Sequence, residues 1–274
     1  MSLEMADLKI PTITLLTDYG TRDGYVASMK GAILSINSNV NIVDITHDIA
    51  PQDILEAAFV LRSAFSYFPV RTIHVVVVDP TVGSTRKILM VSTDNYYFVA
   101  PDNGVLSLIY EIEPFSSVVE VSSEHYFRSV VSNTFHGRDI MAPVAAWLSK
   151  GNPMDNFGDP TENYLRLSFP KPKVVAEGTL KGNIVHIDRF GNLITNVTRN
   201  DYEELRSKTP GENFKTVIGK QEINGLKNYY AQGQKGELLA LFGSSDFLEI
   251  AQTQGSAAKT LGVSRGAEIG IVLK

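Results

Sequence analysis

The sequence of 274 residues contains no cysteine, which excludes disulfide bonds, iron–sulfur clusters and thiolate zinc sites. It has no excess of positive charge either: the net charge is −5 at pH 7, so nothing favours binding to nucleic-acid phosphates. No apolar run approaches the ~18 residues that a membrane-spanning helix needs, and residues 1–9 lack the apolar stretch of a signal peptide. We expect a cytoplasmic protein without nucleic-acid or membrane partners.

Glycine-rich phosphate loops and closely spaced metal ligands are also missing. Neither G-x-x-x-x-G-K-[ST] nor a G-x-G-x-x-G after a strand occurs, so nucleoside triphosphates and dinucleotides are poor candidates. A nucleoside without phosphates remains compatible. The five histidines, at positions 47, 74, 125, 136 and 186, form no close pair with metal-ligand spacing. We expect no metal, although ligands from distant segments could still converge.

Strands alternate with helices through the first 150 residues. Short apolar, β-branched runs predict strands at residues 13–16, 41–45, 75–78, 88–92, 96–99 and 118–121. Helix signals predict one helix capped by Asp23, one starting near Pro51, and two more over residues 103–112 and 139–149. This alternation predicts an α/β domain with a mostly parallel sheet and helices on both faces.

The pattern changes after residue 150. Residues 151–173 contain four prolines and two glycines without a sustained period, which predicts a linker. Short strand candidates then follow at 182–187, 193–197, 216–218, 237–242, 246–250 and 268–273. We predict an N-terminal α/β domain over residues 10–150, a linker over 151–173, and a smaller all-β barrel domain over 174–274.

Three polar residues stand next to apolar elements of the first domain. Asp79 follows the apolar run of residues 75–78, and ligands in open α/β sheets bind outside the carboxyl ends of strands. Arg86 and His136 could join it to orient and deprotonate a water molecule, since a helix N-terminus favours a neutral imidazole. Each residue also has a structural interpretation: Asp79 as a turn residue before proline, and His136 as a hydrogen-bonded loop residue.

Two further aspartates follow the first strand. Asp18 is placed to accept hydrogen bonds from the vicinal hydroxyls of a ribose, or to stabilise a turn before glycine. We include Asp23 among the substrate-binding candidates, although helix capping would account for it fully.

The second domain offers two polar turns. Residues 188–192, Asp-Arg-Phe-Gly-Asn, provide a carboxylate for an ammonium group, an aromatic face for a planar ring and an amide for base edges. As a bare pattern this segment is only a β-turn with glycine. Residues 242–249 provide hydroxyls and backbone N–H groups that suit a carboxylate.

Taken in order, these segments resemble the S-adenosyl-L-methionine hydroxide adenosyltransferases, relatives of the fluorinase and chlorinase enzymes. The resemblance extends from about Ile13 to the C-terminus. It rests on LTDYG, VDPTVG, PDNG, FHGRD and DRFGN, which begin at residues 16, 78, 101, 135 and 188.

The resemblance implies hydrolysis of S-adenosyl-L-methionine to adenosine and L-methionine without a cofactor or metal. It also implies a homotrimer with active sites at the subunit interfaces. In the first domain it assigns water activation to Asp79, Arg86 and His136, with either Asp79 or His136 taking the proton, and ribose binding to Asp18. In the second domain it assigns the methionine amine to Asp188, adenine to Phe190 and Asn192, the methionine carboxylate to Ser244 and Ser245, and the adenine-side segment to Glu249.

Two other functions stay open at this point. A halogenase would use the same substrate, but a fixed carboxylate at Asp79 would repel a halide by several kcal/mol at an effective dielectric near ~20. A non-catalytic protein that binds S-adenosyl-L-methionine or adenosine would need Asp18, Asp188 and Asn192, but not the Asp79–Arg86–His136 set.

Overall fold

The computed structural model of the chain describes residues 10–209 and 213–273, without the side chains of residues 115 and 116. The chain divides into two compact units, the first ending at Ser168 and the second beginning at Phe169. The domain limits predicted at residues 150 and 174 stay predictions. Within the described residues, no helix is long and apolar enough to cross a bilayer.

The first unit is built on a seven-stranded sheet. Its strands are β1 Thr12–Thr17, β2 Asn41–Thr46, β3 Ile73–Val77, β4 Ile88–Thr93, β5 Tyr97–Pro101, β6 Phe115–Val121 and β7 Gly158–Pro160. The order is β2-β1-β3-β5-β4-β6-β7. The ladders β1–β2, β1–β3 and β3–β5 are parallel, whereas β4 pairs antiparallel with β5 and β6, and β7 with β6. Five of these seven strands therefore run in one direction, and the α/β class is confirmed.

From residue 10 onward, this unit contains four α-helices: α1 Tyr25–Ile36, α2 Ile54–Ala64, α3 Ser107–Ile112 and α4 Ala142–Ser149. On one face of the sheet, α1 and α4 pack together over the odd-numbered residues of β1 and β3, such as Ile13 and Val75. On the other face, Phe65 at the end of α2 contacts the ring of His74. Because β3 is buried on both faces, its sequence is apolar except for His74 and does not alternate between apolar and polar residues.

Several predicted boundaries are wrong for identifiable local reasons. Gly24, not Asp23, is the N-cap of α1, and no side chain caps it. Asp53 caps α2 by accepting a hydrogen bond from the Glu56 amide at 3.0 Å, so the helix begins after Pro51. The helix predicted over 103–112 starts only at Ser107, because Gly104 (φ +87°) is part of a turn.

Part of the predicted linker belongs to the first sheet. Residues Met154–Phe157 form a 3₁₀ turn, and β7 then pairs with β6. The prolines and glycines that predict a linker are compatible with this short strand, because β7 lies at the edge of the sheet, where proline is tolerated.

The second unit is a curved nine-stranded sheet. Its strands are β8 Lys173–Ala176, β9 Thr179–Ile187, β10 Leu193–Thr198, β11 Phe214–Ile218, β12 Gln221–Asn224, β13 Leu226–Lys227, β14 Leu238–Phe242, β15 Phe247–Gln252 and β16 Glu268–Leu273. The order is β12-β11-β16-β9-β10-β15-β14-β13, with β8 added beside β9. Contacts between β12 and β14 bring the two ends of the sheet together. The predicted barrel-like architecture is confirmed.

The described part of this unit also contains two short α-helices that the sequence analysis does not predict, α5 Arg199–Lys208 and α6 Ala257–Leu261. The start of α5 has a recognisable signal, a capping box in which Thr198 and Asp201 each accept a hydrogen bond from the other's backbone amide. The second unit is therefore not purely β.

Candidate active site

Asp79 and Arg86 form a buried ion pair beyond the carboxyl end of β3. Arg86 Nε donates to Asp79 Oδ2 at 2.7 Å, and Arg86 Nη2 contacts the same oxygen. The two side chains are only 4% and 8% exposed. Asp79 Oδ1 has a weaker partner, the Thr81 hydroxyl at 3.3 Å. One carboxylate oxygen is thus fixed by the guanidinium, and the other can still accept a proton from a ligand.

His136 is the third member of this cluster. Its Nδ1 lies 2.9 Å from Arg86 Nη2, although 50 residues separate the two along the chain. Because guanidinium nitrogens only donate, Nδ1 must accept, and the neutral ring carries its proton on Nε2. Burial, and secondly the charge of Arg86, lower the pKa of His136, and nearby Asp79 and Asp139 only partly oppose this shift. The structure therefore brings Asp79, Arg86 and His136 together, with a neutral imidazole.

Two residues fix the loop that carries Asp79 and Arg86. Asn103 Nδ2 donates to the Val78 carbonyl at 2.8 Å, which holds the chain just before Asp79. Gly83 has φ +81°, and a side chain there would clash with the carbonyl of Asn133. The first loop can therefore lie directly against the loop that precedes His136.

The loop before His136 is anchored by a buried carboxylate. Asp139 is fully buried and accepts hydrogen bonds from Arg138 Nε at 2.7 Å and from the Ser132 amide at 2.9 Å. These hydrogen bonds and the charges of Arg138 and Arg128 lower the pKa of Asp139, although burial alone would raise it. His136 itself precedes a π-helical turn, Gly137–Met141, that leads into α4. The predicted helix start at residue 139 is therefore slightly late.

Asp18 lies at the same edge of the sheet, directly after β1. Its Oδ2 accepts a hydrogen bond from the Gln52 amide at 2.8 Å. Among the described residues, Oδ1 has no hydrogen-bond donor, so it is available for a ligand hydroxyl. Asp23 is exposed, and no described hydrogen bond or ion pair links it to Asp79, Arg86 or His136.

The predicted residues of the second unit lie in two turns and on one strand. Asp188 Oδ1 accepts from the amides of Phe190 and Asn192, at 2.9 and 2.8 Å, and its Oδ2 accepts from Asn192 Nδ2 at 2.9 Å. The carboxylate therefore builds the β-turn, and a ligand amine would have to share its oxygens. Phe190 is 75% exposed, which leaves its ring free to stack on a planar group.

Glu249 lies on β15, and its carboxylate is buried. Tyr230, which the sequence analysis does not identify, donates its hydroxyl to Glu249 Oε2 at 2.8 Å. Burial, together with the charge of Asp188, raises the pKa of Glu249, although the Tyr230 hydrogen bond opposes the shift. A side chain on Gly243 would clash with the Glu249 carboxylate. Ser244 and Ser245 are exposed in the turn after Gly243.

Metal-binding geometry is not found at these sites. Among residues 10–209 and 213–273, no three His, Asp or Glu side chains are grouped to hold a metal ion.

An α/β unit with a carboxylate–guanidinium–imidazole cluster at the carboxyl edge of its sheet has the arrangement expected of an enzyme that binds a small molecule there and activates water. The chain belongs to the S-adenosyl-L-methionine hydroxide adenosyltransferase family. The model of this family's N-terminal domain matches residues 13–158, and that of its C-terminal domain matches residues 182–270. The resemblance inferred from the motifs is confirmed.

Individual relatives agree with this assignment. The chain is 36% identical to an (R)-S-adenosyl-L-methionine hydrolase from Methanocaldococcus jannaschii, over 99% of this chain and 100% of the relative. It is 31% identical to a fluorinase from an Actinoplanes species, over 71% of this chain and 74% of the relative. A crystal structure of an uncharacterized conserved protein from Thermotoga maritima shares 38% identity and a TM-score of 0.89, covering 95% of this chain and 99% of the other.

Proposed function

We propose that this protein hydrolyses S-adenosyl-L-methionine to adenosine and L-methionine. Relatives that are 30–36% identical over nearly the whole chain are named (R)-S-adenosyl-L-methionine hydrolases, so we assign the (R) sulfonium as substrate. The single observation that carries the proposal is the buried contact of Arg86 with both Asp79 and His136. This cluster leaves Asp79 Oδ1 as the proton acceptor for a water molecule.

The reaction needs a positioned nucleophile more than an activated leaving group. Water oxygen attacks the ribose 5′ carbon while the C5′–S bond breaks, and the bonding electron pair leaves on sulfur as a neutral thioether. No acid or metal is needed to expel it. Holding the water in line with the departing sulfur removes much of the entropic barrier. As the O–C bond forms, the water becomes strongly acidic, so a carboxylate can accept its proton.

Asp79, rather than His136, is our choice for that acceptor. His136 Nδ1 already accepts a hydrogen bond from Arg86, and a proton on Nδ1 would place two donors against each other. We therefore assign His136 the positioning of the Arg86 guanidinium, which in turn fixes Asp79. Asp79 later releases the proton to solvent.

The substitution Asp79→Asn tests this assignment. The amide keeps the shape of the side chain but cannot accept the proton, so we expect adenosine formation to fall by ~100-fold or more. Substrate affinity should change much less, as measured by calorimetry with a non-hydrolysed analogue. Asp94→Asn is the matched control, because Asp94 is exposed in the turn after β4, away from the carboxyl end of β3. Equal turnover of Asp79→Asn and Asp94→Asn would refute the role of Asp79.

The halogenase alternative makes a different product. The fixed Asp79 carboxylate faces the place of the nucleophile, where it would repel a halide. We expect incubation with chloride or fluoride to yield adenosine alone, and a halogenated nucleoside in the chromatogram would reverse this choice.

The remaining assignments are proposals of the same kind. We propose ribose binding for Asp18 and methionine or adenine binding for the second-unit residues Asp188, Phe190, Asn192, Ser244, Ser245 and Glu249. We also propose a reaction without metal or cofactor, in a homotrimer with active sites at the subunit interfaces. Full activity after EDTA treatment and a mass of about 90 kDa by light scattering, three times 30.1 kDa, are the expected results.

A further inference from the structure

Tyr19 is a half-buried phenol that the assignments above leave without a function. It follows Asp18 in the chain, and its backbone amide donates to the Thr17 hydroxyl at 3.2 Å. Its ring packs edge-on against Phe135, with 5.7 Å between ring centroids, and at the same distance against Tyr25. These aromatic contacts fix the position of the ring. They do not account for the surroundings of its hydroxyl group.

The hydroxyl lies between the elements that carry the proposed catalytic residues. A Cβ atom on Gly137 would be 3.0 Å from the Tyr19 hydroxyl oxygen and 3.1 Å from Val77 Cγ1. Gly137 directly follows His136, and Val77 is two residues before Asp79. The absence of a side chain at position 137 is therefore what allows the phenol to reach this place.

The phenol is available as a hydrogen-bond donor. Burial first, and then the negative charges of Asp18 and Asp79, raise the pKa of Tyr19 against the opposing charge of Arg86, so it stays protonated at neutral pH. Within the described part of the chain, no group accepts a hydrogen bond from this hydroxyl. The hydroxyl of Tyr19 thus has a proton to donate, and it is close enough to Asp79 for the charge of that carboxylate to affect its pKa.

We propose that Tyr19 is a further catalytic residue, whose hydroxyl donates a hydrogen bond to the water that attacks the 5′ carbon. This inference rests on the proposed function. A water that gives one proton toward Asp79 has two lone pairs, and only one of them points at the carbon. A donor on the second lone pair fixes the rotation of the water and so aims the first. Arg86 Nε and Nη2 are already directed at Asp79 and His136, so the Tyr19 phenol is a donor additional to those of the guanidinium.

The test combines Tyr19→Phe with Gly137→Ala. Tyr19→Phe keeps the ring contacts and removes only the donor, so we expect kcat to fall by ~10-fold with KM changed by less than ~3-fold. The added methyl of Gly137→Ala should displace the hydroxyl and lower kcat by a similar factor. In the Tyr19→Phe background the same methyl meets no hydroxyl but still lies 3.1 Å from Val77 Cγ1, so the loss of kcat in the double variant should be smaller than the product of the two single losses. Tyr67→Phe, at a residue that is 77% exposed, is the control.

The outcomes separate the inference from the function on which it rests. A wild-type protein that forms no adenosine overturns both. A wild-type protein that forms adenosine, with an unchanged kcat in Tyr19→Phe, overturns the role of Tyr19 alone. The role of Tyr19 is also overturned if Tyr19→Phe raises KM at constant kcat. It is overturned as well if the loss of kcat in the double variant equals the product of the two single losses. Gly137→Ala gives a second, independent measurement should Tyr19→Phe fold poorly.

Discussion

At the scale of single residues, the chemistry depends on which atoms of three side chains are already occupied. Arg86 directs donors at both Asp79 Oδ2 and His136 Nδ1. These contacts leave Asp79 Oδ1, whose partner is the Thr81 hydroxyl at 3.3 Å, as the oxygen that can accept a proton, and they make His136 a neutral hydrogen-bond acceptor. If His136 only positions Arg86, a substitution that keeps a hydrogen-bond acceptor should keep activity. If His136 removes the proton, it should not.

Substitutions of His136 distinguish these two roles. Asparagine can place its carbonyl oxygen near the position of Nδ1, whereas leucine offers no acceptor. We expect His136→Asn to keep at least ~10 times more activity than His136→Leu, measured as adenosine released. Equal and severe losses in both variants would instead identify His136 as the base.

The pH dependence of kcat gives an independent check of His136. Its pKa is lowered, so the acid limb of the profile should lie below the ordinary histidine value of 6.5. Activity is complete above that lowered pKa, because the ring is neutral there, and is lost as the pH falls through it. In His136→Asn this limb should shift, because the imidazole no longer contributes to it. An acid limb at or above pH 6.5 in the wild type would contradict a neutral, half-buried imidazole.

The sequence identifies the residues of the first-unit cluster better than those that hold it in place. Asp79 is visible because it follows a continuous apolar run, and His136 because it precedes a helix. Asn103 and Tyr19 escape this reasoning, since their positions depend on contacts with Val78 and Gly137 that no local pattern reveals. In the second unit the turn interpretation of residues 188–192 describes the geometry well, because Asp188 closes that turn itself.

At the scale of elements, the loop before α4 depends on Asp139. This buried carboxylate binds Arg138 and the Ser132 amide, and its pKa is lowered. We expect Asp139→Asn to cost about 1–3 kcal/mol of unfolding free energy at pH 7, because it weakens charged hydrogen bonds. Arg128→Ala is the control and should cost less than about 1 kcal/mol, since Arg128 is half-exposed and 3.4 Å from Asp139.

The sign of the pH effect follows from the lowered pKa of Asp139. Its stabilisation is complete above the ordinary value of 3.8 and is lost as the pH falls through the lower, folded-state pKa. The difference in unfolding free energy between wild type and Asp139→Asn, measured with urea, should therefore persist at about pH 5 and decrease only at lower pH. A difference that vanishes already at about pH 5 would contradict this assignment.

Element boundaries show where local sequence signals mislead. Asp23 and Pro51 both have the chemistry of helix starts, yet Gly24 and Asp53 take the cap positions. The strand β7 is hidden in a proline-containing segment, because its pairing with β6 is a long-range contact. Fold class is easier to predict than boundaries, since it depends on many residues at once.

At the scale of the whole molecule, the first unit contains a titratable group in its core. His74 on β3 is fully buried, its Nδ1 lies 2.7 Å from the Thr14 hydroxyl, and its ring stacks on Phe98. Burial lowers its pKa to about 3. The folded state therefore holds a neutral ring at a pH where the unfolded chain, with a pKa of 6.5, is protonated.

Stability should consequently fall in mild acid. The contribution of His74 is complete above 6.5 and is lost as the pH drops from there toward about 3. Between about pH 7.5 and about pH 5 this amounts to roughly 2 kcal/mol. In urea unfolding at fixed protein concentration, the free energy of unfolding of His74→Asn should decrease correspondingly less than that of the wild type over the same pH range. Identical pH slopes for the two proteins would show that His74 does not titrate on unfolding.

The most direct test of the account is the fate of oxygen from labelled water. S-Adenosyl-L-methionine is incubated with the protein in water enriched in oxygen-18, and both products are analysed by mass spectrometry. Attack at the ribose 5′ carbon predicts one labelled oxygen in adenosine and unlabelled methionine. Label in methionine, or adenosine without label, would contradict the account.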